Sequence, residues 1–408
     1  MKIFKFFVKN IFLRKLLIAF CTLLLILFSN YLVFVSSRSV ISTLQGFDEI
    51  KHLNQEKSYI SNIDPDSNFD MERLNANKLR DIYDYINEHF KYAFFTEGYM
   101  VSMPNQYDME LSCSYLNEEY YDLNKQFKIT QGDPLTFDYE LSDHPEIPVL
   151  IGHGLSETYP LGSSMEIDDP VLRRPVTLKV QGILDSNIAH SNLYSLSSKQ
   201  YYNFAIMIPV NKAYIQNSDI AFQLQGLNDL ILLQTSRDKV DAFSDVLYDK
   251  LGAKYNFYTQ EENFEYFNEI FFSSMKVILW ITAIVLLALF CMAVWSSLSS
   301  IRLMIKDFTI NLFVGMRYSK LKRILFGYYG LIFGINLIIL FAITASSRQA
   351  SWVRKDPTFC TFGLFGIIGM DWLALLTVLL FDVIMGVFLV EILMWRIKKV
   401  PISLGVLQ

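Results

Sequence analysis

Residues 16–35 read LLIAFCTLLLILFSNYLVFV, a run of 20 residues without a charged side chain. A helix rises about 1.5 Å per residue, so this run is long enough to cross the roughly 30 Å hydrocarbon core of a bilayer. A lone span must be helical, because the bilayer interior offers no water to satisfy backbone N–H and C=O groups. The run therefore predicts a membrane-spanning helix near the start of the chain.

Three further apolar runs lie in the last third of the chain, over Val277–Ile301, Ile324–Ser347 and Trp372–Trp395. Of the 408 residues, 52% are hydrophobic and only 19% are charged, whereas soluble domains have roughly 25% charged residues. This composition excludes an ordinary cytosolic enzyme, a disordered chain and a disulfide-rich scaffold. We expect a membrane protein with four transmembrane helices, one N-terminal and three C-terminal.

The uneven distribution of charge predicts how the chain is oriented in the membrane. Residues 1–37 carry five basic and no acidic side chains, and residues 302–323 carry six basic side chains against the single acid Asp307. Basic residues next to spans are retained in the cytoplasm. Both termini and the loop 302–323 should therefore be cytoplasmic, and the middle of the chain should lie outside a bacterial plasma membrane.

The first run is too long for the apolar core of a signal peptide, and no small-residue cleavage site follows it cleanly, so we expect an uncleaved anchor. The predicted order is a cytoplasmic N-terminus (1–15), a first span (16–37), an extracellular domain (38–272), a second span (273–301), a cytoplasmic coupling loop (302–323), a third span (324–347), an extracellular loop (348–371), a fourth span (372–395) and a cytoplasmic tail (396–408).

The extracellular part, residues 38–272, holds 18 basic and 36 acidic side chains, a net charge of −18. Apolar residues at helical spacing predict helices over Leu74–Phe90 and Asp238–Leu251, and Glu261–Ile270 should lead helically into the second span. Alternating or short apolar runs predict strands over Tyr92–Met103, Asp108–Leu116, Thr177–Leu184, Phe204–Val210, Leu230–Gln234 and Tyr255–Tyr258. We expect a two-lobed α+β domain that is joined to the bilayer by helical stalks.

Signatures of catalysis are missing from the sequence. It has no G-x-x-x-x-G-K-[ST] motif, no G-x-S-x-G motif and no histidines at metal-ligand spacing. We therefore predict a non-enzymatic chain with no catalytic, cofactor-binding or metal-binding residues and no nucleic-acid partner. The acidic pairs Glu118-Glu119 and Asp168-Asp169 are expected on a solvated surface. The four cysteines are expected to be packing residues, with a bridge between Cys113 and Cys360 left open.

Two acidic residues interrupt the fourth span. Asp382 lies ten residues after Trp372, about 15 Å along the helix and near the bilayer centre, where an acid costs about 3 kcal/mol. Either Asp382 is a relay or gating residue that faces a partner helix, or it is a protonated or hydrogen-bonded packing residue whose partner is Asn336 of the third span. Glu391 is expected to be an anchor that extends toward the cytoplasmic surface.

The loop 302–323 reads RLMIKDFTINLFVGMRYSKLKR. An apolar cluster lies among its basic residues and ends at Gly315, a residue type that permits a tight turn. This pattern predicts a short amphipathic helix parallel to the membrane. Such a helix either rests on lipid or serves as a docking element for a cytoplasmic partner.

A recognisable order of residues runs through this loop: an acid, an apolar stretch, a glycine eight residues on, a basic residue and a serine. Its members are Asp307, Ile310, Leu312, Val314, Gly315, Arg317 and Ser319. The extracellular part contains FKITQGD (127–133), PVLIGHGL (148–155) and VQGI (180–183) in succession. With the layout of one span, a large domain and three spans, these segments resemble the MacB-type, FtsX-like permease subunits of ABC transporters. The chain departs from that family at Asp307, where Glu is usual, and at Phe313, where a small residue is usual.

The resemblance implies a domain of the MacB periplasmic-core type and an ATPase on another chain. A separate P-loop ABC ATPase, carrying the ATP and Mg²⁺, should dock on the coupling residues, which are Asp307, Leu312, Phe313, Val314, Gly315, Met316 and Arg317. A second permease chain, identical or related, should pair with this one in membrane lipid, and an accessory extracellular protein is a further expected partner.

Three functions follow as hypotheses. The first is a transporter subunit for export of, or resistance to, a peptide, antibiotic or toxin, in which ATP hydrolysis drives conformational work outside the cell. The second is a mechanotransmitting subunit that activates an extracellular cell-wall hydrolase. The third is a membrane-anchored sensor without ATP coupling, for which three closely spaced C-terminal spans and a basic loop are unnecessary.

Overall fold

The structure is a computed structural model that describes residues 16–67, 74–124, 126–192, 195–266, 269 and 272–399. These residues form two compact units. The apolar-helix unit comprises the described parts of 1–41, 273–347 and 369–408, and the sheet unit comprises those of 42–272 and 348–368.

The helices are α1 (Leu16–Leu53), α2 (Ala76–His89), α3 (Glu118–Leu123), α4 (Lys212–Asn217), α5 (Ile220–Leu227), α6 (Arg237–Leu251), α7 (Gln260–Tyr266), α8 (Ser273–Phe313), α9 (Tyr318–Val353) and α10 (Gly369–Lys398). The strands are β1 (Tyr59–Ile63), β2 (Lys91–Ala93), β3 (Phe95–Val101), β4 (Leu111–Leu116), β5 (Ile129–Gly132), β6 (Glu146–Ile151), β7 (Ser164–Asp169), β8 (Arg174–Leu184), β9 (Ala189–Asn192), β10 (Ser195–Tyr201), β11 (Ala205–Pro209), β12 (Ile231–Leu233) and β13 (Tyr255–Thr259).

Four helices, α1, α8, α9 and α10, are long and apolar enough to cross a membrane. A core cluster in this unit joins α9 to α10 through buried side chains such as Leu321, Leu325, Leu389 and Leu393. The helix α8 contributes far less to the interior, and its Trp280 and Trp295 are 72% and 75% exposed. Apolar side chains on the outside of a helix bundle are typical of a surface covered by lipid.

The second apolar helix differs from its prediction. Helix α8 continues without interruption to Phe313, so no separate amphipathic helix forms in the loop. The sequence between Ile301 and Phe313 contains neither glycine nor proline, and nothing in it stops the helix. The residues expected in a loop are therefore the last turns of α8, a short connection and the first turns of α9.

The sheet unit contains two main sheets. One has the strand order β3-β4-β11-β6-β8-β5, with β7 paired to β8, and it mixes parallel and antiparallel neighbours. The other is antiparallel, with the order β13-β1-β12-β2. Together with the four apolar helices, these sheets and their helices confirm the predicted fold class, a membrane protein with an α+β domain.

Local sequence explains the central elements. In α2, Asn75 caps the N-terminus by accepting a hydrogen bond from the backbone N–H of Lys78, and Leu79, Ile82 and Ile86 are buried one turn apart. In β8, alternate residues enter the core, as the pattern TLKVQGIL predicts. The helix α6 ends at Gly252, whose φ of +71° suits a residue without Cβ.

The segment 348–368 is a structural part of the sheet unit. Its Trp352 and Phe362 rings lie 5.2 Å apart, and Trp352 contacts the rings of Tyr107 and Phe204 at 5.2 Å and 5.7 Å between centroids. Cys360 is buried in the same core as Cys113, and both are free thiols. Since 348–368 packs within the fold of residues 42–272, both segments must lie on the same side of any membrane. The sequence predicted only a connecting loop here.

The prediction that Asp169 lies on a solvated surface is wrong. Its side chain is 1% exposed and accepts hydrogen bonds from the backbone N–H of Val171 and Leu172 and from the hydroxyl of Tyr214 at 2.6 Å. Burial raises the pKa of Asp169, although these hydrogen bonds oppose the shift. The neighbouring Asp168 is exposed, as alternation along β7 requires.

We expect Trp352→Ala to destabilise the sheet unit by about 2 to 4 kcal/mol, because it removes a large aromatic ring from a packed cluster. Thermal unfolding of the full chain in detergent would measure the change. Tyr248→Ala is the matched control, since Tyr248 is an aromatic residue of the same unit that is 58% exposed. An equal effect of the two variants would show that 348–368 is not part of the core.

Candidate functional site

The connection between α8 and α9 is a glycine-terminated turn. The backbone N–H of Gly315 donates to the carbonyl of Leu312, and that of Met316 donates to the carbonyl of Asn311, both at 3.0 Å. This pair of bonds is the Schellman motif, which ends a helix by satisfying its last carbonyl groups. Gly315 has φ +99°, a left-handed conformation that other residues adopt only with strain.

The turn presents an apolar tip. Phe313 and Val314 are 77% and 79% exposed, whereas Leu312 and Met316 are half-buried against the core cluster beneath them. Arg317 follows at the exposed start of α9. We call Leu312–Arg317 the coupling turn. Leu312 and Met316 pack on the core cluster, and Phe313 and Val314 are left exposed.

The structure brings together six of the seven predicted coupling residues, which are Leu312, Phe313, Val314, Gly315, Met316 and Arg317. The backbone of Asp307 lies in α8, but its side chain lies outside the described residues. That these residues contact an ATPase remains a prediction.

The predicted pairing of Asp382 with Asn336 is wrong. The Nδ2 group of Asn30 on α1 donates to Oδ2 of Asp382 at 3.0 Å, whereas Asn336 donates to the backbone carbonyl of Leu23 at 3.4 Å. Asn30, Asp382 and Asn336 are all buried within the apolar-helix unit. Sequence reasoning missed Asn30, although an amide within an uncharged apolar run was the available signal.

Helix α1 makes polar contacts to the other three long helices of its unit. Thr22 shares a 2.9 Å hydrogen bond with Ser296 of α8, and Arg38 forms an ion pair with the buried Asp371 of α10 at 3.1 Å. In a bilayer, lipid tails remove the hydrophobic drive for helices to associate, so packing and hydrogen bonds decide their pairing. These contacts therefore orient α1 within the unit.

The last turns of α1 are anchored inside the sheet unit by Glu49. Its Oε1 accepts a 2.6 Å hydrogen bond from Nδ1 of His190, and its Oε2 accepts one from the backbone N–H of Ser191 at 2.9 Å. Lys199 lies near the same carboxylate, with 3.9 Å between Nζ and Oε2. Burial lowers the pKa of His190, but the hydrogen bond and the charge of Glu49 outweigh it and raise this pKa overall.

Close packing supports this anchor. A Cβ atom added to Gly46 would lie 2.3 Å from the carbonyl oxygen of Leu196, so only glycine fits there. The hydroxyl of Ser42 donates to the carbonyl of Ser197 at 2.8 Å, and Ile50 packs against Leu196. Sequence analysis identified none of these residues, because their partners lie far along the chain.

No known family model matches the chain, and no curated protein matches it. Among solved structures, the chain is similar to the extracellular domain of YknZ, a noncanonic ABC-type transporter from Gram-positive bacteria, at 16% sequence identity. The match covers 50% of this chain and 100% of that domain, with a TM-score of 0.28.

The buried ion pair makes stability depend on pH. A histidine whose folded pKa is raised stabilises the fold fully below its unfolded pKa of about 6.5 and loses that contribution as the pH rises through the folded value. We therefore expect the unfolding temperature of the full chain in detergent to fall above about pH 6.5. His190→Gln should flatten this dependence, and the exposed His89→Gln should leave it unchanged. If the unfolding temperature of His190→Gln depends on pH as steeply as that of the wild type, the pair of Glu49 and His190 is not the cause of this dependence.

The contact between Asn30 and Asp382 can be tested by substitution. Asp382→Asn keeps a polar partner for Asn30 and should change stability little. Asp382→Ala leaves the buried Nδ2 group of Asn30 without an acceptor and should cost about 1 to 3 kcal/mol. Thermal unfolding in detergent compares the two variants, and equal losses would contradict a specific hydrogen bond.

Proposed function

We propose that the chain is the permease subunit of an ABC transporter of the FtsX-like, MacB-like type. The observation that carries the proposal is the coupling turn, an exposed apolar tip on a glycine-terminated turn that basic residues flank in the sequence. An exposed pair such as Phe313 and Val314 contributes little to the fold, and exposed apolar residues next to charges are typical of a protein contact.

The partner at this turn is a separate P-loop ABC ATPase, which binds ATP and Mg²⁺. The turn connects two long apolar helices, and movement of the turn displaces both helix ends. A second permease chain, identical or related, completes the complex. The turn and both termini face the cytoplasm, as the basic residues beside the spans favour, and the sheet unit lies outside.

In this complex, ATP hydrolysis drives a conformational change outside the cell. Helix α1 is 38 residues long, about 57 Å at 1.5 Å per residue, and contains residues of both units. Its polar contacts within the apolar-helix unit and its Glu49 anchor within the sheet unit make it the element that carries movement outward. We propose export of, or resistance to, a peptide, antibiotic or toxin as the result.

The docking proposal is tested by co-purification. Phe313→Glu should lower recovery of a P-loop ATPase with the tagged full chain by about tenfold or more, because a new charge meets an apolar contact. Gly315→Glu should lower it at least as much, because it also strains the backbone at φ +99° and deforms the turn. Phe313→Glu should leave the fold intact, since its side chain is exposed. Val353→Glu is the matched control, because Val353 is 82% exposed at the opposite end of α9.

Normal recovery of the ATPase with both turn variants would overturn the docking assignment. Absence of any P-loop ATPase from the wild-type preparation would instead favour a sensor without ATP coupling.

A further inference from the structure

The helix α10 contains three acidic residues, and two of them have basic partners. Asp371 forms an ion pair with Arg38 of α1, and Glu391 forms one with Lys322 of α9. The third acid, Asp382, lies 11 residues after the first and nine before the last, about 16 Å and 14 Å along the helix. Both basic side chains are therefore too far away to pair with Asp382 while they hold the other two acids.

The partner of Asp382 is a neutral amide. The Nδ2 group of Asn30 donates to Oδ2 of Asp382 at 3.0 Å, and among the described residues no lysine, arginine or histidine forms an ion pair with this carboxyl group. Asp382 and Asn30 are 3% and 0% exposed. A carboxylate buried without a cation is strongly unfavourable, so an acid at such a position becomes neutral by taking up a proton.

One oxygen of each group in this pair has no hydrogen-bond donor. Oδ1 of Asp382 and Oδ1 of Asn30 are both buried, and neither makes a hydrogen bond within the described part of the chain. Buried polar atoms nearly always have a partner. A protonated carboxyl group has an O–H donor, which a carboxylate lacks. A single proton on Oδ1 of Asp382 gives both oxygens a partner, because it makes the first a donor and the second its acceptor.

We propose that Asp382 binds a proton and donates it from Oδ1 in a hydrogen bond to Oδ1 of Asn30. Together with the bond from Nδ2 to Oδ2, this joins the acid and the amide by two hydrogen bonds. The pair connects α10 to α1, so binding of the proton and contact between these two helices are linked. The site stands on the apolar-helix unit alone and does not depend on the proposed ATP coupling.

Infrared difference spectroscopy of the full chain in detergent at pH 7 tests for the proton. A protonated carboxyl group absorbs at a higher frequency than a carboxylate, and its band moves to lower frequency when deuterium replaces the proton. The spectrum of the wild type minus that of Asp382→Asn should contain this band and its shift in D₂O. The substitution preserves the fold, because an amide has the shape of the neutral acid and can make both hydrogen bonds.

Glu391→Gln is the matched control for the band, because Glu391 is an exposed acid of the same helix with a basic partner. The spectrum of the wild type minus that of Glu391→Gln should contain the bands of a carboxylate. If the difference spectrum for Asp382→Asn also contains carboxylate bands in place of the protonated-carboxyl band, Asp382 is ionised and the proposal is overturned.

Asn30→Val tests the pairing, with each variant compared to the same variant carrying Asp382→Asn. The protonated-carboxyl band should move to higher frequency, because the carboxyl C=O loses the hydrogen bond from Nδ2. Asn336→Val is the matched control and should leave the band in place, since Asn336 is a buried amide of the same unit that donates to the carbonyl of Leu23. An unmoved band in Asn30→Val, or equal shifts in both variants, would overturn the pairing.

Discussion

The buried pair of Glu49 and His190 is the interaction on which much of this structure depends. It holds the last turns of α1 inside the sheet unit, with a 2.6 Å hydrogen bond between side chains that are 1% and 9% exposed. Removal of one partner from such a pair leaves an uncompensated buried charge and costs about 3 to 5 kcal/mol. The anchor therefore constrains where α1 ends.

The same helix is positioned in the apolar-helix unit by a different kind of contact. There Asn30 of α1 donates a hydrogen bond to Asp382, and Arg38 of α1 forms an ion pair with Asp371. Apolar helices in lipid gain little from hydrophobic contact with each other, so a few polar groups decide which faces meet. One helix thus has polar contacts in the apolar-helix unit, at Asn30 and Arg38, and in the sheet unit, at Glu49.

The proposed function acts on this chain at the coupling turn. The turn is apolar at its tip, its base packs on the core cluster, and basic residues flank it in the sequence. In the proposed complex, the partner chain hydrolyses ATP and this chain moves.

The sequence by itself determined the four apolar helices, the α+β class of the intervening domain, the approximate extents of α2 and α6 and the tight turn at Gly315. Those features depend on residues close together in the chain, whose periodicity and turn-forming residue types can be recognised in the sequence. Only the tertiary structure decided the partner of Asp382, the burial of Asp169 and the packing of 348–368 into the domain core. Each of these joins side chains far apart in sequence, 352 residues for Asn30 and Asp382, and no local pattern specifies which distant surfaces meet.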